Sequence, residues 1–361
     1  MISEVRSEKL VVLTTLRLRC GFRSLLLILF CLDFEHWVDA SVIAPVAVTC
    51  PVCAAHFDAL AVVSADSRGG VDRDLFSRSD GPQQVYARIS TCPTCSYAGY
   101  LTDFAVDVTL SDGFIEKVRV APKLDAAMVI DPGADQRDID PDRRFALAVQ
   151  CYQWRGRSAE ALGWLYLRWS WLVREDTSMV PPDRRLARVL AYAKRWVEPA
   201  DAQSNQSDRE LRLVGHLAAA LGEGRFNRYQ IPFVKLAMAL LLRRHGEHAH
   251  AEPLLTELCT DPHLTDPLRQ AAERMARSID RERELQAHAA AHLAHALQND
   301  EIQPPNDAVA RYLVGELHRR IDQDAEAIPW YDTALANPAL PADLRVWAVR
   351  QRRIATSAAE P

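Results

Sequence analysis

Thr49-Cys-Pro-Val-Cys53 and Thr91-Cys-Pro-Thr-Cys95 are near-copies of one pentapeptide, and their reading decides how the first part of the chain folds. Each sets two thiols three residues apart around a proline-shaped turn. Such a turn aims both sulfurs at one point, and zinc favours four thiolates in a tetrahedron. Two turns complete that shell and leave no position for water or substrate. Cys50, Cys53, Cys92 and Cys95 are therefore expected to hold one structural Zn2+. Two hooks of a zinc ribbon are usually separated by about 15–20 residues; the 38 residues between these leave room for a β insertion. A redox dithiol and ordinary buried cysteines are the competing readings.

Around the hooks, residues 46–110 read as short strands and turns. Ala47-Val-Thr, Ala61-Val-Val-Ser and Val85-Tyr-Ala-Arg-Ile-Ser carry the β-branched or alternating pattern of strands. Gly69-Gly70 and Asp80-Gly-Pro82 punctuate them. The hooks thus fall at strand ends, in a zinc-ribbon-like module whose small core would draw folding energy from the metal. Residues 111–142 are a transition; Ser111-Asp-Gly-Phe-Ile-Glu-Lys-Val-Arg suits helix and strand equally.

From residue 143 the chain is helical, and it repeats. A shift of 76 positions lays His216-Leu-Ala-Ala-Ala-Leu221 on His292-Leu-Ala-His-Ala-Leu297. The same shift, without a gap, pairs Arg243 and Arg244 with Arg319 and Arg320, Pro253 with Pro329, and Arg269 with Arg345. That period equals two helical hairpins of about 34 residues, the tetratricopeptide unit. Gly315, Ala327 and Ala334 supply the small residues that close helix crossing requires. A weaker copy aligns Gly156, Ala159 and Ala161 with Gly246, Ala249 and Ala251, offset by a stretch around Pro181-Pro182 and Ala202–Ser207. The expected fold is mostly α: a four-cysteine ribbon-like β module, a first helical stretch over 143–208, then an α-solenoid of tetratricopeptide-like hairpins over 209–361.

The order of these features resembles the bacterial domain-of-unknown-function family 2225. The resemblance rests on a Cys-Pro-x-Cys hook followed by Phe57, a second followed by Tyr97-Ala98, and the later segment Tyr312–Arg320. It covers roughly residues 46–350 and implies zinc hooks continuing into tetratricopeptide-like helices. It carries no activity across. The chain departs from the pattern at Ala54 and Ser96, where such knuckles often have glycine.

Composition narrows the function. Hydrophobic content of 48% and charged content of 25% suit a globular protein, and only 14 glycines in 361 residues favour helix. A net charge of −5 argues against a general nucleic-acid binder, although Arg350, Arg352 and Arg353 form a local basic patch. Cys20, Cys31, Cys151 and Cys259 share no spacing. Paired hooks with scattered single cysteines fit a reducing, cytoplasmic compartment.

Residues 1–45 form an N-terminal extension in which Arg17, Arg19 and Arg23 precede the apolar run Leu25–Leu32. The run is short of the ~20 residues that span a bilayer. A misassigned start, a signal-like segment ending near Val38-Asp-Ala40 and an amphipathic helix are the alternatives, and the second would make the protein exported or membrane-associated.

Other residues are weighed against plainer roles. His245, His248 and His250 fall at a turn between helices and are expected to be solvated; His288, His292 and His295 share one helical face. Asp66, Asp72 and Asp74 are expected to fix turns or pair with Arg68 and Arg73. Among the crowded aromatics, Trp164 and Trp169 are candidates for a ligand groove. Arg243, Arg244, Arg319 and Arg320 recur at one register and either hold carboxylates of a peptide or stabilise helix C-termini. The favoured function is a non-enzymatic zinc scaffold whose helices bind a protein or peptide. A zinc hydrolase or dithiol oxidoreductase, and a nucleic-acid-binding ribbon, are the alternatives.

Overall fold

The structure, a computed structural model, describes residues 41–65, 67, 69–79, 82–120, 130–131, 133–175 and 206–359. The apolar run of the N-terminal extension, Asp66, Arg68 and the Pro181-Pro182 stretch lie outside the described residues. Strand β1 (Val42–Thr49) pairs antiparallel with β2 (His56–Ser64), and the pairing ends at Thr49 opposite His56. The first hook is the turn of that hairpin. Strand β3 (Ile89–Thr91) pairs with β4 (Ala98–Tyr100), and the second hook joins Thr91 to Ala98.

The expected strand from Val85 is only half realised. Residues Gln84–Ala87 form a 3-10 turn, and extended chain begins at Ile89. The Arg144 guanidinium holds the corner between turn and strand, donating to the carbonyls of Tyr86 (2.7 Å) and Ile89 (2.8 Å). The ambiguous stretch after Ser111 is helix α1 (Asp112–Val120), with Phe114 and Val118 buried one turn apart.

Helices α2 (Pro141–Trp154) and α3 (Ala159–Glu175) make the first hairpin. After α4 (Gln206–Gly222) come α5 (Ile231–Arg244), α6 (His248–Thr260) and the 33-residue α7 (Asp266–Gln298). Then follow α8 (Asn306–Arg320), α9 (Asp324–Ala336) and α10 (Ala342–Ala359). The long apolar stripe of α7 serves both copies of the repeat: its first half answers to α10, its second half to α4. No helix among the described residues is long and apolar enough to cross a membrane.

The 76-residue period is built into the backbone. Left-handed Gly224 and Gly246 recur as left-handed Asp300 and Asp322. Glu247 N bonds Leu242 O, and Gln323 N bonds His318 O, in the same helix-ending turn. Arg269 ties down the carbonyls of Cys259 and Asp261 as Arg345 ties down those of Leu335 and Asn337. The earlier copy shares the turn, with Arg157 N bonded to Tyr152 O after left-handed Gly156. Gly315 occupies the close crossing expected of it: a Cβ there would lie 3.1 Å from the Tyr331 ring and 3.3 Å from Ala327 O.

Candidate metal centre and buried ion network

Both hooks fold identically. Cys50 N bonds Ala55 O and Ala54 N bonds Cys50 O, both at 2.9 Å; in the second hook Cys92 N bonds Tyr97 O at 2.8 Å and Ser96 N bonds Cys92 O at 2.9 Å. The fifth residue of each turn must be left-handed, and Ala54 (φ 60°) and Ser96 (φ 62°) adopt that conformation without being glycine. The departure from the usual knuckle changes the cost of the turn, not its geometry.

The four sulfurs lie within 4.8 Å of one another, with Cys50 to Cys95 and Cys53 to Cys92 at 3.6 Å. A disulfide would need about 2.05 Å. A metal with bonds near 2.3 Å sits at the centre of a tetrahedron with edges of about 3.8 Å, so the donor set fits a metal ion. Hydrogen bonds from Cys50 and Cys95 draw the Cys92 thiol down to about 2, the same bond to Cys92 pushes Cys50 up to about 12, and Cys95 is driven higher still.

The cluster is sealed by its own module together with α2. Tyr97, Phe104, Phe114 and Val118 are buried around it, with Phe57 and Tyr97 set edge-on against Phe104 at 5.5 and 5.2 Å. Cys151 packs into the same shell. Arg119 of α1 reaches back to Val52 O in the first hook at 2.8 Å. Asp103 joins the second hook to α2 by accepting from Tyr100 N, Tyr152 Oη and Arg155.

The segment between the hooks does something the sequence reading did not expect. Residues Asp72–Phe76 form a tight loop, closed by Asp72 N to Phe76 O at 2.8 Å, that plugs into the helical hairpins. Asp72 accepts from Arg78 Nε and from Arg174 of α3, each at 3.0 Å. Asp74 accepts from Trp171 (3.1 Å) and Arg174 (3.2 Å) and faces Arg320 at 3.5 Å. Arg73 O accepts from the Tyr312 hydroxyl at 2.7 Å. Asp72 and Asp74 are thus fully buried partners of helical arginines, which corrects their assignment as loop acids pairing locally.

The network continues through the hairpins. Arg174 reaches Glu282 at 2.7 Å, whose other oxygen takes Arg243 Nε at 3.0 Å. Glu316 accepts from Arg319 (2.9 Å), Arg320 (2.9 Å) and the Tyr331 hydroxyl (2.8 Å). Burial alone would raise these acids, but the arginines prevail: Arg174 and Arg320 hold Asp74 well below the usual carboxylate range, and Arg319 and Arg320 hold Glu316 at about 2. Every acid here is answered by a guanidinium, so the network suits cohesion rather than proton transfer.

Three of the four recurrent arginines are therefore not groove residues. Arg243, Arg319 and Arg320 end their helices, but they are 1, 4 and 0% exposed and face buried carboxylates; only Arg244 is partly exposed. Trp169 is also buried, its indole N–H spent on Asp142 at 2.6 Å, while Trp164 is half-buried under Arg168. His245 and His248 are buried, not solvated. His245 Nε2 meets Glu210 at 2.9 Å, and His248 Nδ1 donates to Arg320 O at 3.0 Å. Burial holds both rings neutral, His248 down to about 3. His250 is exposed, and His288 and His292 stack on Tyr166.

Arg174, Glu210, Glu282 and Glu316 escaped the sequence reading. Their one signal was position: Glu316 lies between Tyr312, Leu313 and Leu317 on a buried helical stripe, and Glu282 between Ile279 and Leu285. A charge on an apolar stripe requires a buried partner, yet the sequence does not say which.

Comparison with known families agrees with this architecture. The family described as uncharacterized protein conserved in bacteria (DUF2225) matches residues 45–282, which span both hooks, the plug loop and the hairpins through the first half of α7. The later segment Tyr312–Arg320 lies beyond the matched residues. No curated protein and no solved structure matches the chain. With paired hooks, the hook-flanking aromatics and the first hairpins all inside that match, the chain belongs to the bacterial family DUF2225.

Proposed function

We propose that the protein is a non-enzymatic scaffold in which Cys50, Cys53, Cys92 and Cys95 hold one structural Zn2+, and tetratricopeptide-like hairpins grip a peptide or protein partner. The observation that carries this reading is the closure of the four-cysteine centre: its donors are complete in number and walled in by Tyr97, Phe104 and Phe114. Bound there, the ion cross-links two hairpin turns and contributes folding energy. Free thiols at this spacing accord with a reducing, cytoplasmic setting. The helices supply the extended surface on which repeat proteins bind other chains.

Thiol titration of the intact protein, with and without a chelator, tests the first half. Four thiols should stay protected until metal is withdrawn and then react together. Rapid reaction of one hook's pair in the metal-loaded protein, with reversible oxidation, would favour the dithiol oxidoreductase instead. The second half is tested by affinity capture with the purified chain and direct binding of the captured partner. A partner that binds the hook module with the hairpins deleted from its contact would contradict it.

A further inference from the structure

Two cavities, of about 520 and about 410 Å³, meet at Arg281 and run along α7. Helix α2 forms the opposite wall, and Tyr166, Trp169, Leu172 and Val173 of α3 form the floor. From Arg274 to His288 the cleft follows fourteen residues of helix, about 21 Å at a rise of 1.5 Å. That length suits about six residues of extended polypeptide, and is long for a compact metabolite.

The charges along it are unequally committed. Asp140 accepts from Asp142 N at the start of α2, and Asp142 accepts from Trp169. Arg281 lies 4.7 Å over the Trp169 ring and pairs with Glu284. Arg274 and Arg277 line the same cleft, and neither enters an ion pair among the described residues. Ser278 lines it too; it is only 6% exposed, and its hydroxyl has no hydrogen-bond partner among the described residues. A buried unpartnered hydroxyl is destabilising, and a ligand oxygen beside it would remove that penalty. Farther along, the amides of Gln150 and Gln153 border the cleft and match the donors and acceptors of a peptide backbone.

Resting on the scaffold reading, we propose that this cleft is the peptide site and that it takes an extended acidic segment of the partner. Arg274 and Arg277 receive its carboxylates, Ser278 donates to one of them, and Gln150 and Gln153 hold the backbone beyond. Guanidinium–carboxylate contacts are charge-assisted and frequently bidentate, so the acidic end provides most of the affinity.

The test uses the full-length zinc-loaded chain and fluorescein-labelled decapeptides carrying three consecutive glutamates, glutamines or lysines. Fluorescence anisotropy should show binding of the glutamate peptide alone, weakening as salt rises. Arg274→Ala with Arg277→Ala should weaken it by about tenfold or more with an unchanged melting temperature, and Ser278→Ala by about threefold with a melting temperature no lower than that of the parent chain. Equal binding of the three peptides, wild-type affinity in the double variant, or no binding of the glutamate peptide would overturn the proposal. Full displacement by millimolar inorganic phosphate, with no preference for the peptide, would reduce the site to a small-anion site and overturn it as well. A chain that binds the glutamate peptide through Arg274 and Arg277 but carries no stoichiometric metal as purified without chelators would strike the zinc half of the scaffold reading alone. A zinc-loaded chain that binds its partner through another face would strike this inference alone.

Discussion

The four-cysteine centre and the buried ion network both take polar groups out of water, yet they are assembled from opposite kinds of information. The centre is local: two five-residue turns with the same hydrogen bonds, each at the tip of its own hairpin. The network is dispersed. Its carboxylates come from the plug loop, α7 and α8, and its guanidiniums from α3, α5 and α8. A metal centre can organise a small module by itself, because the ion supplies the convergence. A network of buried ion pairs cannot, since the desolvation of each charge is offset only when all partners arrive. The first is therefore organised locally by its two turns, and the second makes the plug loop and the hairpins depend on one another.

The largest effect that would break this contrast is loss of a hook. Cys92→Ser should abolish stoichiometric metal and unfold the β1–β4 region, removing metal-linked folding energy on the order of 10 kcal/mol. Hydrogen exchange should then show lost protection in β1–β4 and the hook turns, with the amides of the plug loop, α7 and α8, held by the ion network, still protected. Equal loss in both regions would mean that the two do not fold as separable units.

Next comes the plug. Asp74→Ala leaves Arg174 and Arg320 without a shared carboxylate and should cost about 3–5 kcal/mol, read as a fall in denaturation midpoint. Metal content should remain stoichiometric, because the hooks do not touch Asp74. A cost below about 1 kcal/mol would show the network to be incidental.

These two regions also differ in how far the sequence discloses them. The hooks, their strand-end placement and the 76-residue period were legible because each is a pattern of short or regular spacing. Even the left-handed positions repeat, as Gly246 and Asp322 show. The ion network was not legible, because its pairs are set by tertiary docking: Arg174 and Glu282 are 108 residues apart, Asp74 and Arg174 are 100 apart. Recurrence of Arg243 and Arg319 was visible, but it marked a shared helix-end register and not a shared surface. Solvent was the natural expectation for turn histidines and loop acids, and it is tertiary docking of the plug, α4 and α8 that puts His245, Asp72 and Asp74 indoors.

Acid should sharpen the contrast from the network's side. His248 is held at about 3 when folded, against an ordinary value near 6.5. The unfolded chain thus takes up its proton first, and stability present above pH 6.5 is lost as pH falls toward 3. The slope from this ring reaches about 1.4 kcal/mol per pH unit. Glu210 and Glu316, each held at about 2, add losses below pH 4.5. His248→Asn keeps a donor for Arg320 O without titrating. Its denaturation midpoints between pH 6.5 and 5 should decline less steeply than those of the parent chain; parallel curves would contradict this role.

The smallest expected effect lies in the hooks. Ala54→Gly relieves a left-handed alanine, worth about 1–2 kcal/mol, but adds unfolded-state freedom of about 0.5–1 kcal/mol. The net should be a stabilisation of the order of 0.5 kcal/mol, with a matching gain from Ser96→Gly. Destabilisation by both would show that the turns are not at equilibrium with their backbone preference.

The closed, all-thiolate character of the centre is the claim on which the account turns, and X-ray absorption at the zinc edge tests it most directly. Protein purified without chelators or added metal should contain one zinc per chain, with four sulfur neighbours at about 2.3 Å and no lighter atom in the first shell. A shell of three or fewer sulfurs completed by oxygen or nitrogen, or a chain carrying no stoichiometric zinc, would contradict it.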